Sequence, residues 1–430
     1  MSWLAWLFLI AVLSRAGVRL WLASRQIAAV EARRSKVPRL FAGDISVEHH
    51  ERAADYSVAR MRITRVGALT GAVVALVLTF GGGIAAVDGF WRTTSLEQPW
   101  LGLAVIMTVL GLLKLVEIPF AIWRTFGLEA RFGFNRTSPR LFASDLAKRT
   151  VIGAVVVAPI ATGAILLIDR AGAFWWLYAW VGWLAVMFGL TWAWPRVVAP
   201  WFNRFVPLAD RGLAKRLEAL LERCGFTSGG LFVMDGSRRS AHGNAYFTGV
   251  GRNKRIVFLD TLLAKLDPAE IEAVLAHELG HFRLNHIRRR LVASALLSLA
   301  GLGVLAALAS HEAFYTALGV PTPSAHAALL LFVICTPAFT FFGTPLAAWW
   351  SRRHELEADD FAVKHTSARD LAGALIKLYR DNAANLTPDR LYSAFYDTHP
   401  PALVRVARLR AIPVPSGPDP RAPSRTAVLQ

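Results

Sequence analysis

The sequence predicts a mainly α, polytopic membrane protein in which seven membrane-spanning helices are capped on one side by a small α+β domain. Three observations carry that prediction. The 430 residues are 54% hydrophobic and only 18% charged, with a mean hydropathy of +0.40, whereas soluble domains are about one quarter charged. Seven mostly apolar runs reach the roughly 18 residues needed to cross a hydrocarbon core. Finally, 43 of the 48 Lys and Arg residues fall in four segments that alternate along the chain. The same figures exclude collagen-like and disordered chains, and the two cysteines, Cys224 and Cys335, cannot build a disulfide framework.

In chain order the runs are 3–22, 66–87, 101–122, 151–168, 174–194, 291–310 and 326–348. The first has no basic segment before Trp3, carries Arg15 and Arg19, and lacks a small-residue cleavage site, so it reads as a retained span and not a signal peptide. Residues 23–65 hold nine basic residues, 124–150 six, 196–290 sixteen and 351–430 twelve, whereas the intervening loops hold only Arg92 and Arg170. Short cytoplasmic loops collect Lys and Arg, so the N-terminus is expected outside and the C-terminus in the cytoplasm. The net charge of +18 is therefore mostly an orientation signal. No helix-turn-helix spacing or aromatic-interleaved basic module accompanies it, and no nucleic-acid partner is expected.

Two spans carry ionisable groups, Arg15 and Arg19 in the first and Lys114 and Glu117 in the third. The arginines can snorkel to the interface and the Lys–Glu pair can close on itself at i, i+3. Alternatively, these faces line a hydrated cavity between helices.

Two sizeable polar segments, 196–290 and 351–412, fall on the same side and together can build one small domain. Leu213, Leu217, Leu220 and Leu221 recur at helical spacing, and 229–235 and 255–260 read as two short strands. The tail 413–430, with five prolines beyond Ile412, reads as disordered. Asp267-Pro268-Ala269-Glu270 is a helix start, combining an Asp N-cap, a proline in the first turn and a glutamate placed to close a capping box.

The helix it opens contains His277-Glu278-Leu279-Gly280-His281. One turn separates the two histidines, so both imidazoles leave the same face and can share a tetrahedral zinc, with Glu278 beside the open position. Gly280 costs about 1 kcal/mol inside a helix and points to a close approach on that face. A third protein ligand is required. The seventh run leads into Arg353-His354-Glu355-Leu356-Glu357-Ala358-Asp359-Asp360, where one of Glu355 and Asp359 can bind metal while the other receives a ligand histidine's N–H. His354, Glu357 and Asp360 compete for the same role, and spacing alone does not choose among them.

These segments resemble the type 1 CAAX prenyl endopeptidase family of seven-span zinc metalloproteases. The resemblance extends to Arg34-Ser35-Lys36-Val37-Pro38, Ala54-Asp55-Tyr56, Glu129-Ala130-Arg131-Phe132-Gly133-Phe134-Asn135 and Pro200-Trp201-Phe202-Asn203-Arg204-Phe205. It implies His277, His281 and Glu355 as zinc ligands, one zinc per chain, Glu278 as catalytic base and Asp359 as the carboxylate behind a ligand. It also draws in Asn244 of Ser240-Ala241-His242-Gly243-Asn244-Ala245-Tyr246 beside the substrate, and His399-Pro400-Pro401 with Arg405 closing the site. From residues alone, Asn244 reads as a turn residue and His399 as a loop histidine. The family usually has serine where this chain has Gly243. The resemblance further implies a water-filled chamber enclosed by the helices, which favours a cavity-lining role for the intramembrane charges.

The expected chemistry is peptide hydrolysis. An open zinc position acidifies a water, Glu278 accepts its proton, and His399 donates to the oxyanion, with Arg405 supporting it or binding a substrate carboxylate. If the 255–259 strand has a free edge, an extended peptide can add to it. The organisation expected is spans one to five within 1–195, two parts of a zinc protease domain at 196–290 and 351–412, and spans six and seven within 291–350. A membrane-protein quality-control protease on the same metal core, and a non-catalytic seven-span scaffold or transporter, are the competing readings. Partners are a peptide or protein substrate, prenylated or not, and the lipid bilayer. Forty Arg against eight Lys points to a GC-rich bacterial genome; the location is then the inner membrane, or the endoplasmic reticulum in a eukaryote.

Overall fold

The computed structural model describes residues 2–227, 229–243, 245–248 and 255–412, with the side chains of 246–248 left aside. Asn244 and the tail 413–430 lie outside the described residues. Seven helices are long and apolar enough to cross a membrane: Trp3–Glu31, Val47–Leu78, Trp100–Glu129, Pro139–Arg170, Gly172–Trp201, His286–Ala309 and Ala325–His365. Each contains most of one apolar run. The helices extend past the runs chiefly at the basic end, where polar residues continue the backbone hydrogen bonding without meeting hydrocarbon.

The second span corrects the sequence reading of 66–87. Its helix ends at Leu78, and a separate short helix runs Gly83–Arg92. Gly81-Gly82-Gly83 make the break, with Gly82 at φ +71°, a region glycine enters without steric cost. Apolarity continues through the turn, so hydropathy cannot register it. The loop before the seventh span presses on this turn: a Cβ on Gly319 would collide with the Thr79 carbonyl oxygen.

Loop packing has the parity that the charges have. Arg410 donates to the Leu40 carbonyl at 2.6 Å and to Asp44 at 2.7 Å. Arg239 makes a two-pronged pair with Asp145 at 2.8 and 3.0 Å, and Arg25 does the same with Asp389 at 3.2 and 2.9 Å. These contacts join the segments around spans one and four to the polar domain. At the opposite end, buried His326 meets Asp88 at 2.9 Å, tying the Gly83–Arg92 helix to the start of the seventh span.

One apolar core takes Leu217, Leu220, Ile256, Phe258, Leu275 and Leu279 from before the sixth span, Ala362, Leu371 and Val406 from the seventh span onward, and Phe41 and Ile45 from the first loop. Helix Arg211–Arg223 buries Leu213, Leu217, Leu220 and Leu221 on it, as the leucine spacing predicts. The sheet has four strands: β1 Phe205–Pro207, β2 Leu231–Met234, β3 Ala245–Thr248 and β4 Arg255–Leu259, in the order β1-β2-β4-β3. The β2–β4 pair is parallel and the other two pairs are antiparallel. The condition of a free edge on 255–259 is therefore not met: among the described residues β4 is paired on both sides, and β1 and β3 are the two edges.

Between the spans lies a cavity of about 970 Å³ lined by Arg15, Arg19, Thr70, Lys114, Glu117 and Glu129 among others. Lys114 and Glu117 also pair with each other at 3.0 Å, so they line this cavity as a closed pair.

Candidate metal centre

The helix carrying the histidine pair runs Pro268–Arg283 and starts with the expected capping box. The Asp267 N–H donates to Glu270 at 2.9 Å, and Lys377 ties both carboxylates at 2.8 Å. This helix lies against Thr344–His365, which follows Ala325–Thr340 after a 3-10 turn at Phe341–Gly343 and carries the seventh span into the acidic segment. The close approach that Gly280 suggested is there. A Cβ on it would meet the Ala358 Cα at 3.0 Å and the Phe361 Cβ at 3.1 Å.

That contact brings Glu355 to the histidines. His277 Nε2 and His281 Nε2 are 3.3 Å apart, Glu355 Oε2 is 3.4 Å from the first, and Glu355 Oε1 is 3.2 Å from the second. Ligand bonds of about 2.0–2.1 Å in a tetrahedron put neighbouring donors about 3.3–3.4 Å apart. The separations, taken to both carboxylate oxygens of Glu355, are of the size found between donors around a tetrahedral ion.

The outer ring nitrogens say the same. His277 Nδ1 lies 2.9 Å from Asp359 Oδ1, and His281 Nδ1 lies 3.0 Å from His286 Nδ1, while His286 Nε2 reaches Glu357 at 3.1 Å. Protons placed on both Nδ1 atoms leave the two Nε2 lone pairs facing each other and a carboxylate, an arrangement that a cation satisfies. Glu355 Oε2 is buried without a hydrogen bond of good geometry, although His399 Nδ1 stands 2.7 Å away.

The other candidates fall elsewhere. His354 stacks on His286 at 4.0 Å, Glu357 is held by His286 and Arg353, and Asp360 pairs with Arg408 at 2.7 Å. Glu278 is half-buried; burial raises its pKa above the ordinary carboxylate value, against the pull of His277 and His281. His399 has an exposed side chain on the open side of the group.

Arg405 departs from expectation. It is 5% exposed, and its Nε and Nη2 both donate to Asp359 at 2.6 Å. Its Nη2 also lies 3.1 Å from His277 Nδ1, and its Nη1 lies 3.7 Å from Glu355 Oε2, so the guanidinium sits against the candidate ligands. His286 and Glu357, the pair behind His281, were not singled out for that role; the only signal is a third histidine five residues past His281. Asn285, at φ +58°, makes the turn that folds His286 back.

Residues 207–413 match peptidase family M48, and 26–204 match the CAAX prenyl protease N-terminal region of five membrane helices. The CAAX prenyl protease 1 homolog of Arabidopsis thaliana is 32% identical over 91% of this chain and 93% of that protein. The chain belongs to the CAAX prenyl protease family. It is a multi-pass membrane metalloendopeptidase. The probable CAAX prenyl protease 1 of Schizosaccharomyces pombe is 30% identical over 88% of this chain and 82% of its own length. The crystal structure of S. mikatae Ste24p superposes with a TM-score of 0.87 at 26% identity, covering 95% of this chain and 99% of that one. The family thus accounts for the whole arrangement of spans and polar domain, and a metal belongs to its chemistry.

Proposed function

We propose that this family member is a zinc endopeptidase that cleaves extended peptide segments, C-terminal prenylated ones included, on the cytoplasmic face of its membrane. The observation that carries the zinc assignment is the 3.2–3.4 Å spacing of the three donors from His277, His281 and Glu355. Two imidazoles and one carboxylate suit zinc better than magnesium or calcium. When bound, zinc supplies a Lewis acid and an acidified water.

The remaining steps belong to the chain. Glu278 takes the proton of the attacking water and returns it to the leaving nitrogen. His399 swings from Glu355 to donate toward the developing oxyanion. Asp359 holds His277 in the tautomer that frees Nε2, and Arg405 holds Asp359. The substrate backbone pairs with the edge strand β3, which would give main-chain affinity with loose side-chain demand. Asn244, the residue before Ala245 in the sequence, is proposed to contact that substrate.

The crowding of basic loops at the polar-domain end supports a cytoplasmic site, an outside N-terminus and an inside C-terminus. Cleavage of one peptide with and without a farnesyl group, by wild type and Glu278→Gln, tests the reading. Zinc-dependent cleavage lost in the variant supports it. Purified protein without zinc, or equal cleavage by the variant, sinks it, and the ratio of the two peptides measures the prenyl preference.

A further inference from the structure

The cavity between the spans carries more positive charge than a water path requires. Arg15, Arg19, Arg60 and Arg124 line it, and the two carboxylates that share the lining are both engaged. Lys114 holds Glu117 at 3.0 Å, while Glu129 accepts from the Tyr56 hydroxyl at 2.7 Å and stands 3.4 Å from His242 Nε2. None of these arginines makes an ion pair among the described residues, and Arg15 Nε is buried without a hydrogen-bond partner. Guanidinium groups gathered in one membrane-embedded cavity repel one another and attract an anion.

The position of this charge indicates which anion. Helix Arg390–Tyr396 packs between the first span and the Thr344–His365 helix. The charges of Arg15 and Arg19 act on Tyr396, and that of Arg60 acts on Tyr392 and on Asp397, a further carboxylate beyond ion-pair reach. Arg352 donates to the Asp397 carbonyl at 2.7 Å and precedes Glu355 by about 4.5 Å along their helix. Two residues past Asp397 stands His399, 2.7 Å from Glu355. The arginine-lined end of the cavity thus adjoins the open side of the candidate metal group.

We propose, on the endopeptidase reading above, that Arg15, Arg19, Arg60 and Arg124 bind the C-terminal carboxylate of the peptide substrate, so that a free chain end close behind the cut bond is preferred to an internal segment. An extended chain advances about 3.3–3.6 Å per residue, so a few residues downstream of the cut carry the chain end from Glu355 onto these side chains. The guanidinium fork matches a carboxylate in shape and charge. Forks placed on three different spans can meet a carboxylate that arrives at slightly different depths. An internal segment or an amidated end brings no negative charge to them.

Fluorescence anisotropy with a short labelled peptide of one sequence, ending in a free carboxylate or in an amide, tests the site on full-length Glu278→Gln protein in detergent, where binding is read without turnover. The acid is expected to bind about 10–100-fold tighter than the amide, the range for hydrogen bonds to a charged group, and added salt should narrow the gap. Adding Arg19→Gln and Arg60→Gln should bring the acid down to the amide, whose own affinity is the control for an intact fold. Where both affinities fall, the Arg19→Lys and Arg60→Lys pair decides, because it keeps the charge: a retained preference supports the site and a lost one overturns it. Equal binding of acid and amide, binding of neither, or a preference that survives the two glutamine substitutions also overturns the proposal. Cleavage is tested separately by wild type against Glu278→Gln, so the two readings fail independently.

Discussion

Gly280 and Ala358 touch so closely that no methyl group fits between their helices: a Cβ on Gly280 would lie 3.0 Å from the Ala358 Cα and 3.1 Å from its carbonyl oxygen. Backbone atoms form this contact, so it cannot relax by a side-chain turn. Through it, a residue with no metal-binding atom sets the distance between the histidine pair and Glu355.

Gly280→Ala therefore acts twice. Alanine gains about 1 kcal/mol in helix propensity, but overpacking costs about 1–3 kcal/mol and drives the two helices apart. A lower melting temperature together with weaker zinc retention against a chelator is expected. Unchanged zinc retention would show that the contact does not position Glu355.

Glu278→Gln should lower the rate of cleavage by about 10²–10⁴-fold while leaving zinc bound. Stability should move the other way. A carboxyl whose folded pKa is raised contributes its stability below the unfolded value and loses it as pH rises through the folded value. In metal-free protein the variant should gain on wild type in melting temperature from acid toward neutral pH. A difference that shrinks with rising pH contradicts that sign.

Asp359 and Arg405 form a buried pair behind His277, with 2% and 5% exposure. Arg405→Met leaves the carboxylate uncompensated and should cost about 3–5 kcal/mol. Combining it with Asp359→Asn should recover most of that stability, yet zinc affinity should stay about 10–100-fold down, because the carboxylate behind His277 is gone. Thermal melts and competitive chelation on the same samples separate the two effects.

The cavity between the spans makes a labelling prediction. Thr70 lines it, whereas Val155 is 68% exposed on the outer face of the fourth span. In a bilayer, a hydrophilic maleimide should modify Thr70→Cys and spare Val155→Cys. Equal rates would mean that the polar lining does not hold water.

Much of this molecule is legible in its sequence because two of its codes are strong. Apolar length announces the spans, alternating charge marks the loops that share an end with the polar domain, and the Asp267 start with His277 and His281 announces the candidate metal helix. Three things escape for physical reasons. The end of the second span hides in a glycine turn as apolar as its surroundings. β1 and β3 have three and four residues, too short for a period to establish itself. Glu355, Glu357 and Asp359 share one helix, and only its packing on Gly280 decides which of them faces the histidines. Arg405 is legible as part of the site, but its pairing with Asp359 is not, since a sequence does not tell a guanidinium facing substrate from one facing a buried carboxylate.

The seventh-span helix carries Glu355 as a direct continuation of its membrane crossing, 78 residues after His277 in the chain. During synthesis, the histidine pair leaves the ribosome well before its carboxylate partner, with two membrane crossings still to be made. If His277, His281 and Glu355 hold the metal as proposed, their set is complete only once the last span is seated, and completion of insertion and arming of the catalyst become one event.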